Sequence, residues 1–166
     1  CRLVRIALDC RSVFPGMGGI GRSTAMLAEA LPRILSSAEV FLLVGARRPE
    51  RFLSTARNAH ILETDAAMID PIFEQFGLPG LLEDNEIDVH HGTCFSIPIP
   101  RSCAAYVATV HDAVFKRSPE LVEPKLREYL DRSTDVACEL ADAIVTVSEF
   151  SRREIAELYG RPAAAI

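Results

Sequence analysis

The sequence predicts an α/β protein built on a doubly wound parallel sheet, a Rossmann-like architecture, and three observations predict it. The apolar runs Leu3–Leu8, Val40–Val44, Tyr106–Val110 and Ala143–Val147 have the near-continuous hydrophobicity of strands buried on both faces. Segments of helical periodicity separate them. The order strand, helix, strand then recurs along the chain, the pattern of a parallel sheet with helices on both faces.

The chain has 166 residues, 49% of them hydrophobic, enough for one core, so residues 1–166 read as a single domain. Its net charge of −5 is spread without basic blocks, which excludes the clustered cationic face of a nucleic-acid binder. Cys1, Cys10, Cys94, Cys103 and Cys138 are odd in number and form no CxxC pair. They read as reduced core thiols of a cytoplasmic protein rather than a metal site or disulfide framework. The apolar runs fall far short of the roughly 20 residues of a membrane span. No signal-peptide pattern is present.

The elements follow in order. Leu3–Leu8 ends at Asp9 and leads into a long loop with Pro15 and glycines 16, 18, 19 and 21. Ile20, Thr24, Leu27, Leu31 and Ile34 then repeat at helical spacing, with Pro32 expected to kink or shorten the helix. Val40–Val44 is a buried strand closed by Gly45, and Ile61-Leu62 a shorter one. Between Ile69 and Leu82 the apolar spacing is helical but interrupted by Gly77 and Pro79, and it leads to a short strand, Ile87–Val89. After His90-His91-Gly92-Thr93, the prolines 98 and 100 make Cys94–Ser102 a loop. A long helix is expected from Pro124 to Ala141, its face formed by Leu126, Tyr129, Leu130, Val136, Ala137 and Leu140. Ser148 should cap a final helix that ends at Gly160.

Ligands of such sheets lie at the carboxyl ends of the strands. Four segments fall there: the glycine loop, His90–Thr93, His111-Asp112 and Ser148-Glu149. Gly16–Gly21 matches G-x-G-x-x-G, but Cys10–Pro15 separates it from its strand, and Gly45-Ala46-Arg47-Arg48 stands where a ribose-binding acid is expected. Those arginines suit a 2′-phosphate, so an NADP-binding oxidoreductase domain is one alternative. In the favoured reading the glycines let backbone N–H groups at a helix N-terminus approach a phosphate or sugar, with Arg22 adding a cation. A plain flexible turn is the structural alternative.

His111, at a strand end before Asp112, is placed to hydrogen-bond a ligand, while Asp112 is also suited to capping the next turn. His90 and His91, as neighbours on a strand end, point to opposite sides and lack a third ligand, so no metal is implied. Ser148 lacks a nucleophile elbow and reads as a cap. The four arginines between Arg47 and Arg57 read as a solvated loop.

In this order, Gly18-Gly19-Ile20-Gly21-Arg22, His91-Gly92-Thr93, Thr109-Val110-His111-Asp112 and Ala141–Ser151 resemble the N-terminal domain of family 4 glycosyltransferases. The stretch from Ala141 to Arg153 is the most specific. The resemblance implies the N-terminal half of a GT-B architecture and retaining transfer of a sugar, with no essential metal or cofactor. The nucleotide-sugar is then a substrate, and the acceptor a glycan, a lipid-linked glycan or a small molecule. It further implies that Gly18, Gly19, Gly21 and Arg22 approach the donor diphosphate and sugar, and that His111, with Asp112, serves the transferred sugar. His91, Gly92 and Thr93 would line the acceptor side. No donor-side motif is present, so the domain is expected to be inert without a C-terminal donor-binding partner, and its exposed cleft face could self-associate. The expected location is cytoplasmic, with peripheral attachment at the inner face of the membrane as an option. A non-catalytic sugar-binding module is the remaining alternative.

Overall fold

The computed structural model describes residues 2–47, 56–99, 101–103 and 105–166. Cys1, Arg48, Arg51 and Pro100 lie outside the described residues. Six strands, β1 (Val4–Asp9), β2 (Ala38–Gly45), β3 (Ala59–Thr64), β4 (Val89–Gly92), β5 (Ala105–Thr109) and β6 (Ala143–Val145), form one sheet in the order β3-β2-β1-β4-β5-β6. Every pairing is parallel. The order runs outward from β1 in one direction and then resumes at β4 on its other side, so the topological switch lies between β1 and β4.

Alternation along the strands divides the core in two. Leu8, Val40, Leu42 and Val44 face one side, where α1 (Gly19–Ile34) lays Ala25, Ala28 and Leu31 over them. Ala7, Phe41, Leu43, Tyr106, Ala108 and Ile144 face the other side. That side is covered by α2 (Leu78–Asp84), α3 (Val114–Arg117), α4 (Pro124–Leu140) and α5 (Glu149–Tyr159). The expected doubly wound, Rossmann-like sheet is therefore present, with helices on both faces.

Several elements differ from their sequence patterns. The strand expected at Ile87–Val89 is β4, which continues through both histidines to Gly92 because they pair with Ala7-Leu8 and Tyr106-Val107. β6 ends at Val145 rather than Val147, since β5 offers it partners only from Val107 to Thr109. Gly77 and Pro79 do not interrupt the helix. A π turn at Phe73–Gly77 runs directly into α2, and its wider register moves aside the carbonyl that the Pro79 ring would otherwise strike. In α1 the buried face is Gly21, Thr24, Ala28 and Pro32, leaving Ile34 exposed. In α4 it is Thr134, Ala137 and Cys138, with Leu126 and Leu140 exposed, because small residues let the helix lie close to the sheet. Ser148 caps α5 by accepting from the Ser151 N–H at 3.0 Å, and Gly160 ends the helix in the left-handed conformation.

Candidate active site

Parallel pairing brings all four expected segments to one edge, the carboxyl end of the sheet. The glycine loop follows β1, His91–Thr93 closes β4, His111-Asp112 follows β5, and Ser148-Glu149 follows β6. The glycines have three different jobs. Gly16 sits at φ +85°, a turn that favours glycine, and a Cβ at Gly21 would overlap the Ser12 carbonyl oxygen and the Met17 side chain. Around Gly18 and Gly19, apart from the adjoining stretch of chain itself, no described atom lies within 4 Å of where a Cβ would be. Neither needs to be glycine for internal packing. Gly18 is the N-cap of α1 and has no side-chain capping bond, so the helix presents its N-terminus to the edge with this open space in front of it. Arg22 is exposed beside it, with no partner among the described residues.

Gly92 and Thr93 are buried and engaged within the protein. A Cβ at Gly92 would strike the Ser96 carbonyl oxygen, so glycine here permits the chain to fold back sharply after β4. The Thr93 hydroxyl donates to the Asp9 carbonyl oxygen at 2.6 Å, tying the end of β4 to the end of β1 across the switch. Its own carbonyl oxygen accepts from His111 Nε2 at 2.9 Å. A carbonyl can only accept, so Nε2 carries the proton and Nδ1 is the ring nitrogen left for a ligand. Phe95, held at φ 61°, packs its ring 5.4 Å from the imidazole and 6.0 Å from Phe115, fixing the ring plane. Asp112 accepts from the Val114 N–H at 3.0 Å, which holds the first turn of α3.

The two adjacent histidines face opposite sides, as strand geometry requires. His90 is buried against Tyr106, while His91 shares a hydrogen bond of 2.8 Å with the Thr109 hydroxyl. Burial pushes both down to about 4, so both are neutral near pH 7. Among the described residues no three histidine, cysteine or carboxylate side chains gather as a metal cluster.

Sequence reasoning missed one feature of the edge entirely. Arg11, only 4% exposed, pairs with Asp9 through Nε at 3.0 Å and a terminal nitrogen at 2.7 Å, and reaches Glu74 at 3.4 Å. Its guanidinium also donates to the Ala67 carbonyl and stacks 5.0 Å from the Phe73 ring centre. Tyr129 on α4 completes the group, its hydroxyl donating to the Glu74 carboxylate at 3.0 Å. Burial pushes Asp9 up, but the Arg11 charge and hydrogen bonds outweigh it and hold the carboxyl below the usual range. Burial raises Glu74, which Arg11 and Tyr129 offset only partly. The difference follows the geometry, since Arg11 is bidentate to Asp9 and distant from Glu74. The only signal in the sequence was two charged residues, Asp9 and Arg11, beside a buried strand. Their partners lie 63 and 118 positions beyond Arg11, too far for a local pattern to reveal.

Comparison with known proteins agrees with this architecture. The profile of Glycosyltransferase Family 4 matches residues 17–166. No curated protein matches the sequence. Among solved structures, a glycosyltransferase from Rickettsia africae is similar, with a TM-score of 0.56 and 10% identity. HepE from Anabaena, solved in complex with UDP, is similar at 0.59 and 15%. The match covers 100% and 98% of this chain, respectively, but 42% of each solved chain. With most of its length matched by the family profile and its fold shared with these structures, the chain belongs to Glycosyltransferase Family 4.

Proposed function

We propose that these residues form the acceptor-side domain of a retaining glycosyltransferase that moves a sugar from a nucleotide-sugar donor to an acceptor. The observation that carries the reading is the open ground in front of α1. Gly18 and Gly19 leave backbone N–H groups at a helix N-terminus unobstructed, which suits a diphosphate and sugar approaching from a facing domain. His111 stands on the same edge with one ring nitrogen committed to Thr93 and the other available to a sugar hydroxyl. With Nε2 donating to Thr93 and the ring held in a fixed plane, Nδ1 would accept from a sugar hydroxyl and so orient the transferred sugar. Arg22 would add positive charge near the phosphates.

The chemistry of leaving-group stabilisation belongs to a donor-binding domain outside these residues, so this domain by itself should not catalyse transfer. In the retaining mechanism implied by the family, the departing phosphate assists removal of the acceptor's proton. No pair of catalytic carboxylates is then required, and the carboxylates of the edge, Asp9, Glu74 and Asp112, are occupied structurally.

The test is an assay of the full-length protein carrying this domain, with UDP-, GDP- and ADP-sugars, for release of the nucleoside diphosphate. Release with one donor, dependent on the donor-side domain, is expected. Absence of release with every donor would overturn the reading.

A further inference from the structure

On the α4 side of the sheet, next to the candidate site, a cavity of about 340 Å³ opens between the π turn, the chain following Thr93, and the first half of α4. Its size falls within the range of small-molecule sites, roughly 300–1,000 Å³. Pro71, Ile97, Ile99 and Val136 give it apolar walls. Most charged groups lining it are already paired. Glu74 is engaged by Arg11 and Tyr129, and Arg132 pairs with Glu128 at 3.0 Å. Lys125 alone among these charges has no partner among the described residues, leaving one cation at the edge of an apolar cavity. Close by on the π-turn segment, Ile72 and Phe76 project into solvent at 75% and 82% exposure. Both belong to the segment that supplies Pro71, Glu74 and Gln75 to the cavity lining.

We infer that this cavity binds an anionic amphiphile, with its apolar chain against Ile97, Ile99 and Val136 and its anionic head at Lys125. Within the glycosyl-transfer reading, on which this part rests, such a molecule is the acceptor class. The position supports that role. Ser96 and Ile97 follow almost directly from Thr93, whose carbonyl holds His111, so a molecule in the cavity lies next to the reacting edge. The cavity floor also joins that edge through Tyr129, Glu74, Arg11 and Asp9.

The test is calorimetric titration of the chain with decyl phosphate below its micellar concentration, compared with decanol and with inorganic phosphate. Saturable binding is expected for decyl phosphate, with decanol roughly fivefold weaker and inorganic phosphate, which lacks the apolar chain, weaker still. Ser133→Trp, which fills the cavity from α4, should abolish binding. Lys125→Glu, at an exposed position that does not endanger the fold, should weaken it roughly fivefold, the scale of an exposed charge interaction. Absence of binding overturns the inference. So does equal binding of decanol, equal binding of inorganic phosphate, or binding unchanged in both variants. Because binding is read without any sugar transfer, its failure would leave the glycosyltransferase reading intact, and failure of the transfer assay would leave the cavity result intact.

Discussion

His111 Nε2 donates to the Thr93 carbonyl oxygen at 2.9 Å, so the ends of two neighbouring strands fix both the tautomer and the position of the imidazole. The bond leaves Nδ1 as the functional nitrogen. His111→Ala in the full-length enzyme should lower transfer by about 100-fold or more, the scale of losing one positioned polar group, and should cost roughly 1–3 kcal/mol of stability because the Thr93 carbonyl loses its donor. His111→Asn should keep part of the structure but not the function, because the shorter side chain cannot both reach Thr93 and present a second polar atom. Initial rates at saturating donor, together with a melting curve, check both points. Unchanged transfer in His111→Ala would remove this residue from the mechanism.

The glycine loop separates packing from ligand approach. Gly21→Ala should destabilise the domain by roughly 1–3 kcal/mol, since its Cβ would overlap Ser12 and Met17. Apart from the adjoining stretch of chain, Gly18→Ala and Gly19→Ala meet no described atom within 4 Å, so their folding stability should stay within about 1 kcal/mol of wild type, and Gly19→Ala should gain slightly from helix propensity. If a diphosphate approaches here, both should nonetheless lose transfer activity. Urea denaturation paired with the transfer assay decides this, and a fully active Gly18→Ala would assign the glycine to the turn alone.

Arg11 is the residue whose loss should damage the edge most. Arg11→Met leaves Asp9 and Glu74 buried without their shared cation, and breaking a buried pair in this way costs about 3–5 kcal/mol. Glu74→Gln is milder. It keeps the Tyr129 contact, and because Arg11 remains paired with Asp9, a loss of roughly 1–2 kcal/mol is expected. The ordering of the two variants in chemical denaturation is the check. Equal losses in both would mean that the Glu74 contact matters to Arg11 as much as the Asp9 pair does, against the geometry.

What was legible in the sequence followed from local pattern. Buried strands such as Val40–Val44 and the Ser148 cap carry their signals within a few residues, and the alternation of elements limits the topology to few choices. The placement of His111 at a strand end gave its position on the rim but not its tautomer, which depends on a carbonyl 18 residues earlier in the chain. The π turn at Phe73–Gly77 was not legible because glycine and proline in a helical pattern ordinarily signal a break, whereas the widened turn accommodates Pro79 and carries Glu74, whose partners Arg11 and Tyr129 lie far away in sequence. Gly92 and Thr93 show the same limit. Their place on the rim was legible, but their contacts with Ser96, Asp9 and His111 join separate strand ends and carry no local signal.

The histidines of β4 make the fold sensitive to acid, and the sign is fixed by their burial. His90 and His91 are pushed down to about 4 from an ordinary value near 6.5, so the unfolded chain takes up their protons first as pH falls. Their contribution is fully present above about pH 6.5, declines through the window to about pH 4, and does not fall further below it. Each unit of depression corresponds to about 1.4 kcal/mol, so the midpoint of urea unfolding should drop clearly between pH 7.5 and pH 5. His90→Leu should reduce that drop by about half. The substitution removes one of the two titrating groups together with a buried Nδ1 that has no hydrogen-bond partner among the described residues, while keeping an apolar side chain beside Tyr106. Parallel denaturation curves for wild type and His90→Leu at the two pH values are the measurement. An identical drop in both would place the acid sensitivity elsewhere, with the Asp9 and Arg11 pair as the next group to test.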